Sequence, residues 1–250
     1  MSNKIMSERD RLKSLAELCQ VDIRNTYTVN VDPRTGEVSR LTVEDHYSRI
    51  EQYELHGQVP DKIATQYDVA RNLYLYAWFE YRFFNVAEAN ALNVLELAMK
   101  RRIGETEIAR YIKQRNSEHK AKTGKKGGIR NGMKTLMEYC RDHQLVRNEG
   151  FTQWHHHATQ QAYKRAEYEQ HQWAIAEMER TGATGIPLPN IDIKKLPPDP
   201  NYDHLQHLID RTNKMRNNYN HGSTMLHNMV LGTFETVSEF INQLYPLHKA

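Results

Sequence analysis

From residue 66 to residue 102 the chain runs without a proline or a glycine, through "ARNLYLYAWFEYRFFNVAEANALNVLELAMKRR". Nothing else in the sequence limits the fold as strongly. Positions 70, 74, 77, 81, 84, 91, 95 and 98 hold Ala, Tyr, Ala, Tyr, Phe, Ala, Leu and Ala at steps compatible with one face of a helix. The segment "LYLYAWF" is apolar all round, as in a helix covered on several sides. The stripe therefore predicts a packing face, in a core or at a dimer interface, over one long helix or two helices broken near Asn85. With 250 residues, 39% hydrophobic and 26% charged, the chain is long enough to bury such a helix and polar enough to stay in water.

The rest of the sequence arranges itself around that element. Residues 7–20 have the pattern of a short amphipathic helix. Tyr27, Val29 and Val31 then alternate with polar residues, "DPRTGE" supplies a turn, and Val38, Leu41 and Val43 follow, so a β-hairpin is expected over 26–43. Helix is expected again at 44–56, ending at "HGQVPD". After the long apolar stretch come a basic loop at about 116–130, a helix around "GIRNGMKTLMEYCRDHQLV" and a long polar helix over 153–180. Residues 181–202 contain five prolines and read as an extended connector. Two helices, about 203–217 and 224–245, close the chain. The expected fold class is mainly α, a helical bundle with a small N-terminal β-hairpin appendage. The expected division is residues 1–62 as the appendage and 63–250 as the helical domain.

Between the last two helices lies "RNNYNHG", residues 216–222. It carries three asparagines, which are weak helix formers, and ends in glycine. An arginine followed five positions later by a histidine is expected about once by chance among 19 arginines and 13 histidines, and Arg216/His221 is the one instance. With slightly longer gaps Arg40/His46, Arg49/His56 and Arg165/His171 also qualify. Context separates Arg216/His221 from these, because only there do small and polar residues, Gly222 and a possible cap, Ser223, mark a helix junction. On an unbroken helix two positions five apart diverge by about 140°. The two side chains thus converge only where the helix ends or distorts, or where each faces a second copy of the chain.

In this context, after an apolar helix ending "ALNVLELAMKRRI", the motif resembles that of the HEPN superfamily (higher eukaryotes and prokaryotes nucleotide-binding domain). The likeness covers about residues 66–245, and the basic loop and the helix at 153–180 look like insertions relative to compact members. Fold and function follow from the resemblance as expectations: an HEPN-like bundle and metal-independent endoribonuclease activity, with Arg216, Asn217 and His221 as the catalytic set. It also implies a homodimer whose paired motifs form one composite cleft, and a toxin or antiphage defence role with a cognate antitoxin or sensor protein as possible partner. Other members bind RNA or nucleotides without cutting, so a catalytically inactive binding module is the alternative. The residue types suit the chemistry. RNA carries its own nucleophile in the 2′-hydroxyl, an imidazole exchanges protons near neutrality, and a guanidinium holds a phosphate through paired donors.

Between 100 and 134 stand 12 Lys and Arg against 3 acids, a local charge of +9 in a chain whose net charge is +3. Such an excess attracts a polyanion, and Lys122, Lys125, Lys126 and Arg130 are the expected RNA contacts. No metal or other cofactor is expected. The three adjacent histidines of "WHHHA" point about 100° apart on a helix, and His204 with His207 lacks a visible third ligand. No run reaches the length of a membrane span and no signal-peptide core opens the chain. The two cysteines, Cys19 and Cys140, are widely separated, so a cytoplasmic protein without membrane partners is expected.

Overall fold

A computed structural model describes residues 11–220 and 226–247, except the side chains of Asn213 and of residues 216–220. The described residues form a mainly helical bundle with one small antiparallel sheet near the N-terminus. Strands β1 (Val29–Val31) and β2 (Val38–Arg40) pair with Val29 opposite Arg40 and Val31 opposite Val38. The turn between them forms as its residues require. The Asp32 carboxylate accepts from the amides of Arg34 and Thr35, and Gly36 adopts a positive φ of 72°.

Helix α1 (Val43–Glu51) starts at a reciprocal cap, in which the Thr42 hydroxyl accepts from the Asp45 amide and the Asp45 carboxylate from the Thr42 amide. The long apolar stretch folds as two helices, α2 (Asp61–Tyr76) and α3 (Phe83–Ile103). The break falls at 77–82, slightly before Asn85, and no proline or glycine makes it. Residues from the N-terminal segment satisfy the backbone there instead. The Asn25 side-chain amide donates to the carbonyls of Ala77 and Trp78 at 2.8 and 3.0 Å. The Asp22 amide also donates to Trp78, and the Asp22 carboxylate accepts from the Tyr81 amide. Seven of the eight stripe residues are buried, and Tyr81 is half-buried.

Helix α3 is the centre of the bundle. It packs against α2, α4 (Glu105–Thr123), α5 (Met133–Asp142), α7 (His204–Asn220) and α8 (Leu231–Leu244). Ile50 from α1 and Val59 join the same hydrophobic cluster. Helix α6 (Thr152–Thr181) spans about 45 Å. It touches this cluster only through its first turns, by Trp154 and Ala158. The proline-rich connector runs back along α6, with Gln170 donating to the Pro189 carbonyl and the Asp199 amide donating to the Ala158 carbonyl.

Three expectations change. The basic segment is helical through Thr123 rather than a loop from 116, because no proline or glycine interrupts 105–123 and Gly124, at φ 69°, ends the helix in the left-handed region. Of the helix expected over 7–20, residues 7–10 lie outside the described residues, and over 11–20 only a short 3₁₀ turn forms, Leu15–Glu17, with Leu12 and Leu15 exposed and no amphipathic face buried among the described residues. The last helix begins at Leu231 and not near 224. Residues 226–230 are irregular, Met229 is exposed, and the helix opens at Val230 without a side-chain cap.

Candidate functional site

The backbone of α7 stays helical through Asn220. Arg216 and Asn217 therefore stand on its closing turn, while their side chains, and all of His221, Gly222 and Ser223, lie outside the described residues. The chain is described again from Leu226. Below this end of α7, a narrow cleft is lined by Leu95 of α3, Leu208, Thr212 and Met215 of α7, and Thr233 and Val237 of α8.

Two side-chain contacts fix the direction of α5 against α7. Arg141 donates to Gln206 at 2.6 Å, and the Lys134 ammonium lies 3.9 Å from the Asp210 carboxylate. Higher numbers in one helix meet lower numbers in the other, so the helices are antiparallel. The start of α5, and the loop at 124–132 that leads into it, consequently lie toward the end of α7 that carries Arg216. Lys122 is on the last turn of α4, Lys125, Lys126 and Arg130 are in the loop, and all four are exposed. Among the described residues none of the four forms an ion pair, which leaves their charge available to an external anion.

This loop has a definite path. The Asn116 side chain accepts from the Ile129 amide and donates to the Ile129 carbonyl, both at 3.1 Å. Gly127 crosses Asn116 so closely that a Cβ there would lie 2.9 Å from the Asn116 Cα. The loop thus presents its lysines from a strapped base, which the charge count alone did not reveal. The asparagine facing a glycine-containing loop 11 positions ahead carries no sequence signal strong enough to predict the strap.

The rival arginine–histidine pairs have histidines engaged elsewhere or remote from the bundle core. His46 is buried, stacked on Tyr74 with ring centroids 4.3 Å apart and its Nε2 2.9 Å from the Tyr74 carbonyl. His56 pairs with the Asn242 backbone carbonyl, and His171 lies exposed on the outer part of α6. The "WHHHA" imidazoles take three different partners: the Glu149 carbonyl for His155, Gln160 for His156 and the Tyr202 hydroxyl for His157. No group of three His, Cys, Asp or Glu among the described residues could hold a metal ion.

One buried residue on the stripe's face is not apolar. The stripe on α3 steps from position 84 to 91 and omits 88, although 88 is four residues after 84 and lies on the same face. That position holds Glu88, which is only 1% exposed. Its carboxylate accepts from the Thr233 hydroxyl at 2.5 Å and lies 3.4 Å from His227 Nε2. An acid inside an apolar helical stripe is itself a signal, because burying a carboxylate costs several kcal/mol unless partners hold it.

No protein-family model, no curated protein and no solved structure matches the chain significantly. No helix among the described residues is long and apolar enough to cross a membrane.

Proposed function

We propose that the chain is a metal-independent endoribonuclease of HEPN type, acting through Arg216, Asn217 and His221. The observation that supports this reading most is the shared location of two features far apart in sequence. The strapped basic loop at 124–132 lies toward the end of α7 on which Arg216 and Asn217 stand, with His221 next in the chain after α7. A polyanion held by Lys122, Lys125, Lys126 and Arg130 would run past the motif.

In this mechanism His221 takes the proton from a ribose 2′-hydroxyl as that oxygen attacks the adjacent phosphorus. The bond from phosphorus to the 5′-oxygen breaks, leaving a 2′,3′-cyclic phosphate, and the departing oxygen receives a proton from an imidazolium. Arg216 stabilises the extra negative charge on the pentacoordinate phosphate. Asn217 orients that guanidinium or binds a phosphate oxygen. No step requires a metal-activated water, because the nucleophile belongs to the substrate.

The proposed assembly is a homodimer in which Arg216 of one copy faces His221 of the other, so that the second imidazole serves as the acid. The apolar residues of the final helix do not themselves call for a partner. Phe234, Val237, Phe240 and Ile241 are fully buried within the chain. The dimer is proposed from the resemblance and from the five-residue spacing of Arg216 and His221. A toxin or defence role, with an antitoxin or sensor as partner, follows from the resemblance and from nothing else.

The test is incubation of purified protein with single-stranded RNA in EDTA, beside Arg216→Ala and His221→Ala. Cleavage by the wild type, lost by at least about a hundredfold in each variant, is expected, in line with the usual contribution of a general base or an oxyanion donor. Equal cleavage by all three proteins refutes the site, and loss of cleavage in EDTA refutes the mechanism. RNA retention that falls steeply with salt, survives His221→Ala and never yields product identifies a binding module instead.

A further inference from the structure

The proposed site depends on how the chain returns from the motif into α8, and one buried side chain reaches that return from another helix. We propose that Glu88 of α3 is a positioning residue that holds in place the stretch 226–233, which follows the motif in the chain. Its importance for cleavage rests on the endoribonuclease reading, whereas its anchoring role does not.

Four observations converge on it. Glu88 is nearly inaccessible to solvent and sits between Ala87 and Ala91 on the face of α3 that forms the core. One carboxylate oxygen accepts from the Thr233 hydroxyl, in the first turn of α8. The other lies against His227, six residues after His221, where the chain is still irregular. Helix α8 opens at Val230 without a side-chain cap, so a carboxylate close to its first turn faces the positive end of the helix dipole.

The chemistry explains why an acid rather than a leucine stands at this core position. Residues 226–230 form no regular structure and make few apolar contacts, since only Val230 among them is buried. Hydrophobic packing cannot set their path to within the tolerance that proton transfer demands. A carboxylate can, because one oxygen accepts from the Thr233 hydroxyl on α8 while the other lies 3.4 Å from the His227 imidazole on the segment before it, and hydrogen bonds to a carboxylate are directional. The cost of burying the charge is met by those two partners together with its further interactions.

The experiment uses the full chain as Glu88→Gln, Thr233→Val and the double variant. Amide hydrogen exchange is read over 226–233 and over the core of α3, thermal melts are recorded, and steady-state RNA cleavage is measured across RNA concentrations that span KM. Each single variant should speed exchange at 226–233 by about tenfold, the size expected for losing a hydrogen bond to a charged group, without changing α3. The double variant should add little to Glu88→Gln, because Thr233 acts through that carboxylate. Cleavage should lose about tenfold or more in kcat with KM within about twofold, as expected when ground-state binding is untouched. Unchanged exchange at 226–233 overturns the anchoring role. Faster exchange with unchanged kcat in an active enzyme overturns the positioning role. If the wild type never cleaves RNA, the endoribonuclease reading fails while the exchange data still decide the anchor. Should Glu88→Gln fail to fold, Thr233→Val, which keeps the side-chain shape, carries the test.

Discussion

His204 shows how a single side chain can link the fold to pH. It lies at the start of α7, 5% exposed, and neither ring nitrogen has a hydrogen-bond partner among the described residues. Burial first, and then the nearby His157 and His207, push its imidazole down from 6.5 to about 4. At pH values above 6.5 it is neutral both folded and unfolded. Between about 6.5 and 4 the unfolded chain takes up a proton that the folded chain refuses, so this contribution to stability falls as pH falls. The melting midpoint should drop by several degrees between pH 7 and pH 4.5. His204→Phe should flatten that decline, and at pH 7 it should cost less than about 1 kcal/mol because it removes an unsatisfied polar group. Melts of both proteins across this pH range measure it, and an unchanged slope in the variant rejects the assignment.

Two elements have positions that individual contacts decide. The turn between α2 and α3 is closed by Asn25, 52 and 53 residues away from the carbonyls it serves. Asn25→Ala leaves both carbonyls without that donor in a buried setting, and should lower stability by about 1–3 kcal/mol in urea unfolding. The basic loop depends on the close crossing of Gly127 over Asn116. A methyl group at 127 would lie 2.1 Å from the Asn116 side-chain oxygen and 2.9 Å from the Asn116 Cα, so Gly127→Ala must displace the Asn116 strap, the loop or both. RNA retention by Gly127→Ala should fall severalfold at fixed salt while the melting midpoint changes little, because the loop contributes no residue to the core. Equal retention would mean that the lysines act from any loop path, as a diffuse charge.

At the scale of the whole molecule the decisive question is whether the site is shared between two copies. If each Arg216 faces the partner's motif, mixing Arg216→Ala chains with His221→Ala chains restores one intact arginine–histidine pair in every mixed dimer. Some cleavage should return in the mixture, carried by the single remaining imidazole, although each variant is inactive alone. A monomer by light scattering, or a mixture as silent as its components, excludes the composite site. Two-fold pairing is the commonest oligomeric arrangement, and it removes the difficulty that residues five apart on a helix point away from each other.

Several features were legible in the residues themselves. The helical stripe from Ala70 to Ala98 predicted the core correctly, since apolar spacing reflects which side of a helix faces away from water. The hairpin was legible because Asp32, Pro33 and Gly36 carry turn chemistry locally, and the long helix at 152–181 because nothing in it breaks helical hydrogen bonding. Arg216, Asn217 and His221 were legible as candidates because their residue types stand at a junction that local propensity already marks. Other features required the tertiary structure. The break after Tyr76 has no proline or glycine and exists because Asp22 and Asn25 meet the exposed backbone there. The start of α8 at Leu231 and the antiparallel packing of α5 on α7, which turns the basic loop toward the end of α7, were not legible either, and the contact of Glu88 with Thr233 and His227 joins residues far apart in the chain. Propensity and periodicity report on neighbours within a few turns, whereas these contacts depend on which surfaces the collapsed bundle brings within hydrogen-bonding distance.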